Sequence, residues 1–112
     1  MGRRRYSVDE IIRLASSQRI AFTATARRGL MEHGHLPMKF CEALLVDLHN
    51  AIKFIGSVPM QDGTYADEYI CPLPEGFDDE EKRWYVKLRI TEGIINVLII
   101  SCKPDGAMRA KY

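Results

Sequence analysis

Arg83-Trp84-Tyr85-Val86-Lys87-Leu88-Arg89-Ile90-Thr91, then Glu92-Gly93, then Ile94-Ile95-Asn96-Val97-Leu98-Ile99-Ile100-Ser101-Cys102-Lys103-Pro104, reads as a β-hairpin. In its first strand Trp84, Val86, Leu88 and Ile90 alternate with Tyr85, Lys87, Arg89 and Thr91, the period of two expected of a strand with one buried face. A two-residue turn at Glu92-Gly93 would set Val86 opposite Ile99, Leu88 opposite Val97 and Ile90 opposite Ile95. The apolar face of the first strand is then predicted to lie under a helix, with Tyr85, Lys87 and Arg89 exposed opposite. Charged side chains on the outer face of an antiparallel strand are commonly just solvated. Here Leu98 and Ile100 share that face, which points to a partly covered concavity. A phenol, an ammonium and a guanidinium in one row suit phosphate better than an apolar ligand.

Working outward toward the N-terminus, Pro74-Glu75-Gly76-Phe77-Asp78-Asp79-Glu80-Glu81-Lys82 is acidic and turn-rich, and is predicted to be an exposed loop without an apolar face. Before it, Tyr65 to Cys71 and Phe54 to Val58 favour strand, with a loop around Asp62-Gly63 and prolines at their ends. Three helices are predicted further upstream. Ser7 caps the first, Val8 to about Ser17, with Glu10 completing a capping box. The second runs from Ala24 to Glu32 and stops at His33-Gly34. A third, Met38 to about His49, carries Phe40, Cys41, Leu44, Leu45 and Leu48 as the largest apolar face. Arg19 to Thr23 is a short extended connector able to pair at a sheet edge, and Met1 to Tyr6 is predicted to be a disordered basic arm. Helices followed by antiparallel strands describe an α+β domain with two or three N-terminal helices on one face of the sheet.

At 112 residues the chain is one domain, 1–112, with one core. Lys plus Arg number 16 against 15 for Asp plus Glu, so any anionic partner is met by a local patch, without a strongly basic protein behind it. Cys41, Cys71 and Cys102 are odd in number and lack a C-x-x-C pair, which argues against a disulfide framework or a zinc site and points to reducing cytosol. No run is apolar enough to span a membrane, the arginines at the start are not followed by a signal-peptide core, and Tyr6 stands where a myristoylation signal needs Ser or Thr. The phosphate-loop, dinucleotide, H-E-x-x-H and G-x-S-x-G signatures are missing. His33 and His35 with Glu32 offer a start on a metal site, but helix-end histidines are the stronger reading without a further ligand. The carboxylates from Asp78 to Glu81 suit a solvated loop better than a cation site.

Trp84-Tyr85-Val86-Lys87-Leu88 and Val97-Leu98-Ile99-Ile100-Ser101-Cys102-Lys103, more weakly Tyr65-Ala66-Asp67-Glu68-Tyr69 and the Phe54 to Val58 strand, resemble the MqsR toxin family. These are small bacterial endoribonucleases with the RelE-like fold. The resemblance runs through most of the chain in the same element order. It implies a RelE-like fold and metal-independent, cofactor-free cleavage of messenger RNA by a lysine- and tyrosine-based site on the open face of the sheet, with an antitoxin protein as partner. The family tyrosine falls on Tyr85 and its C-terminal lysine on Lys103. Another family lysine falls at Gly56, with Lys53 the nearest substitute, and a family glutamine falls at Ala66. From their positions and chemistry Lys87 and Arg89 join Tyr85, Lys103 and Lys53 as candidate catalytic residues. Strict alternation puts Lys103 on the face opposite Tyr85, unless Pro104 lets it swing to the rim. The competing expectation is a non-catalytic module of the same fold that binds nucleic acid or protein.

Overall fold

The computed structural model describes residues 3–106. Helix α1 (Val8–Ser16) begins at Ser7, whose hydroxyl accepts the Glu10 N–H at 3.3 Å, and buries Ile11, Leu14 and Ala15 on one stripe. It ends on Gln18, which takes the left-handed φ of 58° that closes a helix. The connector after it is a strand, β1 (Ile20–Phe22), and α2 (Ala24–Glu32) follows with Thr23 as its cap. Helix α3 (Pro37–Val46) starts on proline, where a missing N–H costs nothing, and gives way to a 3-10 turn at Leu48–Asn50 before reaching His49 as an α-helix. Strands β2 (Lys53–Pro59), β3 (Tyr65–Pro72), β4 (Arg83–Ile90) and β5 (Val97–Pro104) complete the chain, giving an α+β fold with the helices N-terminal to a mainly antiparallel sheet.

The strand order is β1-β5-β4-β3-β2, with only β1 parallel to its neighbour. The inner face carries Val97, Ile99 and Cys102 of β5, Trp84, Val86 and Leu88 of β4, and Tyr69 and Cys71 of β3, all buried against Ile11, Leu14, Phe40, Leu44 and Leu45. Trp84 lies beneath Phe40 of α3, ring centroids 4.7 Å apart, as the alternation predicts. Ile90, nearer the loop, is only half-buried. Helix α2 runs along β5 beyond the end of β1. Gly29 sits so close there that a Cβ on it would lie 3.4 Å from the Cys102 carbonyl oxygen.

The hairpin register differs from the expected one. Leu88 pairs with Ile99 and Ile90 with Val97, while Val86 pairs with Cys102, because Ile100 is an extra residue in β5. The turn is longer than two residues. Thr91 N–H donates to Asn96 O at 2.9 Å, the Thr91 hydroxyl accepts the Asn96 N–H at 3.0 Å, and Ile94 and Ile95 are left 80% and 44% exposed. At the loop end the shift is by two residues, which preserves the buried face. The bulge then moves everything beyond it by one more. Thr23 supports the bulge, its hydroxyl donating to Ile100 O at 2.7 Å and its N–H to Ile99 O at 3.0 Å.

Two segments expected to be loose are tied down. The basic arm is not disordered over residues 4–6: the N–H groups of Arg5 and Tyr6 donate to the carboxylate of Asp67, which is fully buried on the inner face of β3. Arg4 lies over the Phe54 ring and donates to the Tyr69 hydroxyl at 3.1 Å. The acidic loop does have an apolar side, since Phe77 meets Phe40 edge to face at 5.2 Å and Asp79 is bound by histidines. Tertiary partners supply what these segments lack locally.

Candidate active site

The register sorts the open face of the sheet into rows that run across the strands. Lys53, Ile70, Tyr85 and Lys103 form one row, and Gly56, Glu68, Lys87 and Ser101 the next. Beyond these, Arg89 pairs with Leu98 and Ala66 with Val58. The bulge at Ile100 is the reason Lys103 stands here. Contrary to strict alternation, it is the direct partner of Tyr85, with its Nζ 5.6 Å from the centre of the Tyr85 ring.

Tyr85 is not the exposed residue expected. It retains only 5% of its accessible surface, and its hydroxyl donates to the Glu68 carboxylate in a short hydrogen bond. Lys87 and Arg89 are half-buried on the same face. Among the described residues none of Lys53, Lys87, Arg89 and Lys103 lies within 4 Å of a carboxylate oxygen as an ion pair. These residues do not form one cluster. Tyr85, Lys103 and Lys87 adjoin one another. Lys53 lies across Ile70, roughly 10 Å away at strand spacing, and Arg89 is about 13 Å along β4 at ~3.3 Å per residue.

Of the side chains flanking the cluster, Glu32 and His33 are those the sequence offered as the start of a metal site, whereas Glu68 carries no such signal. Glu68 lies 17 residues before Tyr85 in the chain, and only the β3–β4 pairing brings the two together. On the other side Lys103 lines a cleft of about 420 Å³ between α2 and β5, with Arg28, Glu32, His33 and Ser101. His33 packs edge-on against Trp84, centroids 5.2 Å apart, and its Nδ1 is 3.4 Å from Asp79 Oδ2. His35, buried among Phe40, Phe77 and Trp84, places Nε2 2.7 Å from the same oxygen. Burial would raise the Asp79 pKa, but the Glu81 N–H, the His35 bond and the histidine charges outweigh it and hold the carboxyl below its ordinary value. The two histidines therefore converge on Asp79 as a latch between loop and helix end. Among the described residues no three His, Cys, Asp or Glu side chains gather as a metal site.

Thiol chemistry is disfavoured. Burial pushes Cys71 up to about 12, while a hydrogen bond shared with Cys41, together with burial, raises Cys102 well above a free thiol. Neither is a thiolate near neutral pH. Gly56 and Ala66, on the open face of the sheet, differ sterically. Ala66 is completely buried, whereas a Cβ built on Gly56 meets nothing within 4 Å. No helix among the described residues is long and apolar enough to cross a membrane. No family model, no curated protein and no solved structure gives a significant match to this chain.

Proposed function

We propose that this protein is a metal-independent endoribonuclease, a cytoplasmic MqsR-like toxin that cuts messenger RNA and is held in check by an antitoxin protein. The observation that carries the proposal is the pairing of Lys103 with Tyr85 across the bulge, with Glu68 on the Tyr85 hydroxyl. Cleavage of RNA needs a base for the 2′-hydroxyl, positive charge at the crowded phosphate and a proton for the leaving oxygen. Tyr85 Oη takes the 2′-proton as its own passes to Glu68. The 2′-oxygen then bonds to phosphorus while the bond to the 5′-oxygen breaks. Lys87 and Lys103 hold the charge on the phosphoryl oxygens, the departing 5′-oxygen takes a proton from the Lys103 ammonium, and the cycle closes as Glu68 gives up its proton to solvent and solvent reprotonates Lys103. The products are a 2′,3′-cyclic phosphate and a 5′-hydroxyl. Nothing in this sequence of steps requires a cofactor.

The burial of Tyr85 favours the second reading, a module of the same fold that holds RNA or protein without cutting it. Single-turnover cleavage of a long unstructured RNA, with and without EDTA, separates the two. The parent should cut at the same rate in chelator. Tyr85→Phe and Lys103→Ala should each slow cutting by ~10²-fold, and Lys87→Ala less. Thermal melting should place Lys103→Ala within ~0.5 kcal/mol of the parent. A parent that never cuts, with or without ribosomes, and that leaves growth unaffected when expressed alone, leaves the binding module standing.

A further inference from the structure

The groove at the loop end of the sheet, about 550 Å³ in volume, is lined by Arg5, Tyr6, Tyr65, Arg89 and Thr91. We propose that it is a separate subsite for single-stranded RNA, in which the Arg5 and Arg89 guanidinium groups grip backbone phosphate beside an aromatic wall. The proposal rests on the open face taking RNA, and it does not depend on that RNA being cut.

The groove is pre-organised, although one wall belongs to an N-terminal arm. Asp67, with no exposed surface, receives the Arg5 N–H at 3.1 and 2.9 Å and the Tyr6 N–H at 3.0 Å. The Tyr6 hydroxyl donates to Tyr65 O at 2.7 Å, so the arm is fastened at successive residues. The Arg5 guanidinium lies over the Tyr65 ring at 3.8 Å, which sets its position before any ligand arrives. Among the described residues neither Arg5 nor Arg89 is ion-paired. Asp62, close enough for the Arg89 charge to help lower its pKa, is chiefly occupied by the Thr64 hydroxyl and N–H. Glu92 is the one carboxylate among the lining residues, so the cations outnumber it. Two planar guanidinium groups favour phosphate oxygens in bidentate geometry, and tyrosine faces accept any base. The volume is that of an ordinary small-ligand pocket. Arg89 also shares the open face of β4 with Lys87 and Tyr85, so a single strand bound along that face reaches the groove after about 13 Å.

The test is binding of a short fluorescent 2′-O-methyl oligoribonucleotide, which lacks the hydroxyl needed for cleavage, to the full chain. Arg5→Ala and Arg89→Ala should each weaken binding by ~10-fold and reduce the slope of log K against log salt by about 0.7, the value for one phosphate contact to a single strand. Arg3→Ala, in the same arm, should bind as the parent does. Arg5 is exposed, so its variant carries the test if Arg89→Ala melts early. Equal affinity and an unchanged salt slope in both arginine variants overturn the subsite. So does a parent that ignores the oligonucleotide and uses these arginines only for a protein partner. A protein that binds through them yet never cleaves RNA overturns the nuclease proposal alone.

Discussion

Replacing Asp67 by alanine should loosen the N-terminal arm and destabilise the whole fold. The side chain is fully buried and accepts from two backbone donors, the N–H groups of Arg5 and Tyr6. Hydrogen bonds to a charged acceptor are worth ~1.5–3 kcal/mol each, so the gross loss is about 3–6 kcal/mol. Two effects oppose it. The variant no longer desolvates a carboxylate, and the freed arm regains about 1–2 kcal/mol of backbone entropy per residue. A net cost of about 1.5–3 kcal/mol remains, and at ~4–8 °C per kcal/mol for a domain of this size the melting temperature should fall by roughly 6–24 °C. Trypsin supplies a local readout, because Arg3, Arg4 and Arg5 follow one another in the arm. In the parent the backbone around Arg5 is pinned to Asp67 and Arg4 is held over Phe54 and Tyr69, so cutting should be slow. In Asp67→Ala it should be fast well below the melting temperature, with Asp67→Asn intermediate because one acceptor oxygen survives. A variant that melts within ~2 °C of the parent and is nicked no faster would refute the idea that Asp67 holds the arm.

The latch at Asp79 should show itself in acid. Its pKa is lowered in the folded protein, so its contribution to stability is complete above the unfolded value near ~3.9 and is lost as pH falls through the lower folded value. The melting temperature of the parent should therefore exceed that of Asp79→Asn at neutral pH, and the gap should narrow below about pH 4; a constant gap down to about pH 2.5 would remove the carboxylate as its cause. Gly56→Lys tests the proposed nuclease reading, because it adds a lysine to the row of Glu68 and Lys87 at a position where an added Cβ meets nothing within 4 Å. The variant should melt no lower than the parent, since glycine weakens a strand interior, and it should cut RNA faster; unchanged cutting would mean that a second lysine in that row adds nothing to the charge Lys87 supplies.

The helices and the buried face of β4 were legible because local rules decide them. Ser7 caps α1 through its own hydroxyl, α2 occupies the predicted Ala24–Glu32, and alternation buries Trp84, Val86 and Leu88 whichever of several registers β5 adopts. The candidate site was legible only in part. Tyr85 and Lys87 follow from their own strand. Lys103 depends on the bulge at Ile100, and Glu68 on the pairing of β3 with β4. A run apolar on both faces, such as Ile94 to Ile100, carries no alternation to fix its own register. The choice falls to distant groups, among them the Thr23 hydroxyl that takes the Ile100 carbonyl and the Thr91–Asn96 bonds that close the turn. The same holds for the arm and the acidic loop. Neither has enough apolar surface to order itself, so their conformations are decided by Asp67 in one case and by His33 and His35 in the other. Local chemistry thus determined the elements and their apolar faces, while tertiary structure decided which polar groups meet, because a hydrogen bond between residues far apart in the chain exists only once the core has brought them together.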